Sequence, residues 1–243
     1  MKKKLPVILL VLGVIVFVGS LLLIRGNKKG ETIEEEGTVA EIPFEKRPIA
    51  ALYPSEDGHW LKMKITKVPT GFKSLDYELL YKLLDGRTQG VPGTITLSSS
   101  EEIERDLLLG SESSGKFRYD EGVENGTLTL RFRDEKGKLA GKLSTEFNLL
   151  TGTSEIVSAD SKFKLSLAKK PKGGFFVVME TFGIPETLAN IQSGPYGVFS
   201  SLEASIEGQV TLAGKINLWN GNSWKQLAGS KTSELGIFVG TSE

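Results

Sequence analysis

Two hydrophobic patterns divide the chain. Leu5 to Ile24 runs for 20 positions without a charge, whereas from Pro48 onward apolar and polar residues alternate at period two between turn residues. At about 1.5 Å per residue the first run rises roughly 30 Å as a helix, the hydrocarbon thickness of a bilayer. Lipid obliges every backbone amide to pair within the segment, so the run predicts a transmembrane helix despite its many β-branched residues. Pro6 falls in the first turn, where its missing N–H costs least. The second pattern predicts strands.

Leu61, Met63 and Ile65 point one way while Lys62, Lys64 and Thr66 point the other, as in a half-buried strand. Leu75, Tyr77, Leu79, Tyr81 and Leu83 repeat the alternation over a longer run. A helix capped by Ser74 and stopped by Gly86 is the alternative there, and strand is preferred because all five alternate positions are apolar. Ile95 and Leu97 form a short strand between Gly93 and a serine cluster. Ser99 and Glu102 have capping-box spacing with Gly110 as a C-terminal stop, which leaves helix and strand both open over Glu101 to Leu109. Leu128, Leu130 and Phe132 lead through a turn at Asp134 to Gly137 into Leu139, Leu143, Phe147 and Leu149, a hairpin. After Phe163, Leu165 and Leu167 comes Phe175 to Met179, continuously apolar and therefore expected to be central and covered on both faces. Pro185 to Gly197 reads as a loop or short helix, with Gly194, Pro195, Tyr196 and Gly197 as a rigid turn. Val210 and Leu212, Ile216 and Leu218, a Trp219 to Trp224 hairpin, and Leu235, Ile237 and Val239 complete the series.

Short strands at a spacing of about 8–12 residues, without alternating helices, predict antiparallel sheets packed as a β-sandwich. The resulting division is a tail at 1–4, an anchor at 5–24, an acidic linker at 25–47, a β-sandwich at 48–152, and a second β module or continuation of the same sandwich at 153–243. This strand rhythm, carried by Leu75 to Leu83 and Leu128 to Phe132, resembles bacterial signal-anchored proteins with an immunoglobulin-like β-sandwich ectodomain. The resemblance covers Pro48 to Gly152 best. The cysteine pair of antibody-type domains is missing, so the resemblance transfers no site.

Charge and composition refine the address. Lys2, Lys3 and Lys4 before the apolar run also suit a cleavable signal peptide, but the run exceeds an ordinary h-region, no small-x-small site follows it, and without cysteine there is no lipoprotein attachment. An uncleaved anchor is the expectation. Arg25, Lys28 and Lys29 nearly balance the basic tail. Long domains translocate largely regardless of flanking charge, so the reading places the N-terminus in the cytoplasm and the C-terminal domain outside the plasma membrane. Glu31, Glu34, Glu35, Glu36, Glu41 and Glu45 make the linker a solvated spacer repelled by anionic headgroups. Thirty basic side chains equal thirty acidic ones, which leaves no electrostatic footprint for nucleic acid. The absence of cysteine excludes disulfides, thiolate catalysis and thiolate metal sites.

Candidate chemistry is sparse. Gly110 to Lys116 matches the G-x-x-x-x-G-K part of a phosphate loop, yet Phe117 stands where a magnesium-binding hydroxyl belongs and Glu112 would put negative charge in the cradle. A turn is expected. Ser113 and Lys116 have S-x-x-K spacing and Lys231-Thr232-Ser233 loosely follows K-T-G, but the serine lies in a polar turn rather than at the start of a buried helix. His59, the single histidine, follows a turn and cannot build a zinc site without cysteines. Asp120, Glu121 and Glu124 cluster in a turn without EF-hand spacing. Trp219 and Trp224 flank Asn220-Gly221-Asn222-Ser223, so hairpin closure would set the indoles side by side. Trp219 has the parity opposite to Ile216 and Leu218, which turns it outward if those two face the core. These two tryptophans are the candidate ligand platform. The sequence assigns no catalytic, cofactor-binding or metal-ligating residue. The expected protein is non-catalytic and acts in envelope structure, adhesion or assembly, its partners the bilayer and an envelope protein or glycan. The alternative is an envelope hydrolase using carboxylates or a Ser/Lys pair.

Overall fold

The computed structural model describes residues 39, 41–97, 102–203 and 205–242. The Leu5 to Ile24 segment, the tail before it, most of the linker and the Ser99 cap lie outside these. Among the described residues no helix is long and apolar enough to cross a membrane. Residues 40–243 form one compact unit.

The first strands are β1 (Ile49–Pro54), β2 (Trp60–Thr66), β3 (Ser74–Lys82), β4 (Thr88–Thr96), β5 (Ile103–Leu108), β6 (Gly110–Ser113), β7 (Lys116–Tyr119), β8 (Asn125–Arg133) and β9 (Leu139–Thr151). Then follow β10 (Glu155–Val157), β11 (Lys164–Leu167), β12 (Phe175–Glu180), β13 (Ile191–Ser200), β14 (Gly208–Thr211), β15 (Lys215–Trp219), β16 (Trp224–Gln226), β17 (Lys231–Thr232) and β18 (Ile237–Thr241). All the pairings are antiparallel. A nine-stranded sheet runs in the order β16-β15-β18-β13-β12-β9-β8-β3-β4, beside a three-stranded sheet β1-β2-β5, a four-stranded sheet β10-β11-β14-β17 and the β6-β7 hairpin.

The small sheets cover opposite faces of the large one at opposite ends. Leu61, Met63 and Ile65 of β2 and Leu52 of β1 share a core with Leu75 and Leu79 of β3, Leu128 and Leu130 of β8, Phe147 of β9, and Val177 and Met179 of β12. A second core joins Ile156, Leu165 and Val210 of the four-stranded sheet to Phe176 and Val178 of β12, Tyr196 and Val198 of β13, Ile216 and Leu218 of β15, and Phe238 of β18. Successive β12 side chains therefore enter different cores. This is the physical reason for its unbroken apolar run, since a strand covered on both faces has no solvent side for polar residues. On β3 and β8 the face away from the first core is polar. It carries Arg133 on Asp76 at 2.6 Å and Arg131 on Glu78 at 3.0 Å.

The alternation over Leu75 to Leu83 gives a strand, and so does the ambiguous stretch up to Leu109. Three local expectations need correction. Ile191 to Gly197 belongs to β13 rather than to a loop: its register with β18 slips between Ile191 and Ser193 and again between Ser193 and Tyr196, so a bulge absorbs the Gly194-Pro195 pair within a strand. β4 begins at Thr88, well before Ile95, and carries Pro92 at the sheet edge, where a missing N–H breaks no ladder. The linker does not stay solvated up to Arg47. Ile42 is buried in the first core, and Arg47 donates to the Ile42 carbonyl at 3.0 Å and to Glu41 at 2.5 Å.

Candidate functional site

On the face covered by the three-stranded sheet, cover ends at β1, which lies along β12 and β13. Cross-strand pairing carries this face onward through Phe199 of β13, then Ile237 of β18, Trp219 of β15 and Trp224 of β16. A groove of about 610 Å³ occupies the step between the β1 edge and the Trp219 hairpin. Tyr53 and Lys64 line the side belonging to the small sheet, Phe199 and Ile237 lie on the large sheet, and Trp219, Asn220 and Leu235 line the far side.

Each wall is fixed by its neighbours. Tyr53 is 39% exposed and packs on Phe199 with ring centroids 4.7 Å apart. Burial pushes its phenol above the ordinary tyrosine value. Trp219 pairs with Trp224 across the hairpin, the indoles edge-to-face at 5.6 Å and 63°. Trp224 donates its indole N–H to the Glu186 carbonyl at 3.1 Å, pinning the loop after β12. Ile216 and Leu218 are buried in the second core and Trp219 is half-buried on the opposite face, as the strand pleat requires. Lys64 contacts Glu102 and lies 3.5 Å from Glu104. Hydrogen bonding to Glu102 raises its pKa and keeps the ammonium charged but neutralised.

The other candidate residues are dispersed. Gly110 to Lys116 forms the β6-β7 hairpin, closed by Ser114 and Gly115 with φ of 52° and 74°, the paired positive values of a tight two-residue turn. Ser113 and Lys116 face one another across it, whereas Lys231 to Ser233 lies at β17 in a different sheet, so no serine-lysine-threonine constellation assembles. His59 has a partner that the sequence did not reveal: its ring stacks on Tyr119 at 4.2 Å and 12°. Asp120 accepts the Tyr81 hydroxyl at 2.9 Å, and Asp160 accepts that of Tyr196 at 2.7 Å, so each core has a buried tyrosine tied to a loop carboxylate. Burial alone would raise Asp160, but hydrogen bonds from Ser158, Tyr196 and Lys162 outweigh it and hold the carboxyl below its usual value. Glu180 moves the other way, raised by burial and by Asp160. Neither carboxylate lines the groove. Among the described residues no three His, Asp or Glu side chains gather as a metal site.

Compared with protein families, curated proteins and solved structures, the chain matches none of them. Tyr53 and Phe199 were invisible as site residues in the sequence. Tyr53 sits in the unbroken apolar run Ile49 to Pro54, where no alternation marks a face, and Phe199 follows a Gly-Pro pair that reads as a turn. For Trp219 the signal was parity.

Proposed function

We propose that this chain is a membrane-anchored, extracytoplasmic protein with an immunoglobulin-like β-sandwich ectodomain, and that it acts without catalysis in envelope structure, adhesion or assembly. The groove between Tyr53 and Trp219 is its contact surface for a protein or glycan partner. The observation that carries this reading is the groove itself: opposed aromatic side chains on rigid strands, at a step where one sheet stops covering another. Aromatic residues supply large contact area with little conformational entropy to lose, and pockets of this size and apolarity are where ligands usually seat. The anchor reading draws on the uncharged length of Leu5 to Ile24.

Two measurements test the two halves of this reading. Protease added to intact cells should digest the β domain and spare the N-terminal segment. A full-length protein released in soluble form by osmotic shock would remove the anchor from the account. The full chain in nanodiscs should co-sediment with isolated cell-envelope fragments, and Trp219→Ala with the fold retained should reduce that attachment. Unchanged attachment would remove the groove.

A further inference from the structure

We infer that the Tyr53–Trp219 groove takes a neutral oligosaccharide. The inference rests on the groove being a contact surface and adds the chemical class of its occupant.

Charge comes first. Lys64 is the one ionisable cation among the lining residues, which include no carboxylate, and it is already matched by Glu102 and Glu104. A groove meant for phosphate, an acidic sugar or an acidic peptide would keep a cation unmatched, because a desolvated anion needs a charge-assisted partner. A groove for a basic ligand would need a lining carboxylate. The remaining polar groups at the rim are Thr66, Ser200 and Asn220, all uncharged. They suit a hydroxyl-bearing ligand, which both donates and accepts: the Thr66 and Ser200 hydroxyls can do either, while the Asn220 amide oxygen already accepts from the Asn222 and Ser223 N–H groups of its own turn.

The apolar part fits the same class. A pyranose carries hydroxyls at its perimeter and C–H groups on its faces, so it needs aromatic walls with a polar rim. Tyr53 and Trp219 supply the walls from two different sheets. About 610 Å³ lies within the range of small-molecule sites, roughly 300–1,000 Å³, and suits a few sugar rings.

Peptide modes fit less well. Strand addition needs a free edge, but β1 is closed on that side: Ala50 donates to the Thr181 carbonyl at 3.0 Å, Ile49 bridges to Phe182, and Pro54 at the far end has no N–H to offer. A polyproline helix needs aromatic side chains standing apart to form slots. Here the rings are in contact within each pair, Tyr53 on Phe199 at 4.7 Å and Trp219 on Trp224 at 5.6 Å, which leaves no slot inside either pair.

The experiment is titration calorimetry on the full chain in nanodiscs with cellotetraose, maltotetraose and chitotetraose, and, as contrasting probes, tetragalacturonate and decaproline. At least one neutral tetrasaccharide should bind saturably. Tyr53→Ala and Trp219→Ala should each weaken it tenfold or more, while Phe117→Ala, which alters an exposed ring outside the groove, should change it less than twofold. Tyr53→Ala removes a partly exposed side chain and keeps the test valid if Trp219→Ala fails to fold. Raising salt from about 0.05 to 0.3 M should leave affinity unchanged, since no net charge is being screened. Failure of all three neutral sugars to bind overturns the inference, as does tighter, salt-sensitive binding of tetragalacturonate. Decaproline binding that Tyr53→Ala abolishes, without sugar binding, overturns the glycan assignment and leaves the groove standing. If no probe responds to either variant, both are overturned.

Discussion

Leu130→Ala tests whether the two cores belong to one folding unit. Leu130 is fully buried in the first core and has no place in the second. Truncating a buried leucine costs about 2–5 kcal/mol, depending on how far the cavity collapses. On β8, in the middle of a sheet flanked by β3 and β9, collapse is restricted, so about 3 kcal/mol is expected. For a unit of about 200 residues the unfolding entropy is roughly 0.4 kcal/mol/K, which converts the loss to a fall in Tm of about 7 °C. The three tryptophans allow the halves to be read separately: Trp60 sits in β2, while Trp219 and Trp224 sit on the other half of the large sheet. In a Trp60→Phe background, indole fluorescence reports only the second half. Because β12 sends Val177 and Met179 into one core and Phe176 and Val178 into the other, neither core can lose its packing while that strand stays in place. The distant tryptophans should therefore register the full shift, coincident with a single calorimetric transition. A tryptophan transition left in place while calorimetry resolves a separate transition lowered by about 7 °C would refute the argument and make the halves separate modules.

Tyr196→Phe should cost about 1 kcal/mol at neutral pH, less than a fully buried charged hydrogen bond because Asp160 stays partly solvated. The folded-state pKa of Asp160 is lowered, so the stability it contributes is present above its unfolded value of about 3.9 and is lost as pH falls through the lower folded value; urea midpoints taken from neutral pH to about pH 3 should fall less steeply in the variant, and parallel curves would show that Asp160 does not sense the tyrosine. His59→Ala should cost about 0.5–1 kcal/mol through the lost stacking on Tyr119, whereas Lys116→Ala in the exposed β7 strand should cost less than about 0.5 kcal/mol; equal effects in denaturant titrations would mean that the stack contributes nothing.

Much of the strand order was legible because most strands obey a single rule. Where one face meets a core and the other meets water, as on β2 and β3, alternation marks the strand and assigns the faces at once. Legibility failed where tertiary pairing overrode local chemistry. Gly194 and Pro195 carry the strongest turn signal in their region, yet they lie inside β13 as a bulge that the β18 register passes over, with the Pro195 carbonyl accepting from the Thr181 N–H at 3.1 Å. Gly90, Pro92 and Gly93 are poor strand residues held in β4 by a complete register with β3. Ile42 belongs to a stretch that reads as spacer by its charge, and it is buried because Gly141 leaves it room: a Cβ at Gly141 would come within 2.8 Å of the Ile42 side chain. Alternation says nothing of such a fit.

The groove was half legible, and the missing half is instructive. Parity turned Trp219 away from Ile216 and Leu218, but an outward face in a two-layer protein means solvent only if the opposing layer stops short of it. The sequence held a clue to that limit in Phe175 to Met179. A run covered on both faces, set among alternating strands such as β2 and β3, is what two layers on opposite sides produce where they overlap. They overlap at β12 and β13, where Phe199 enters the first core and Tyr196 and Val198 the second, so strands beyond these keep one face free of the small sheets. On the β3–β8 side the free face is built from Asp76, Glu78, Arg131 and Arg133, which pair among themselves and stay solvated. On the β15–β18 side the free face carries Ile237, Trp219 and Trp224 instead. Ile237 is buried there, while Trp219 and Trp224 are half-buried and Trp224 pins the loop after β12. Two half-buried indoles at the end of this face, where the counterpart carries two ion pairs, support the proposal of a partner at Trp219.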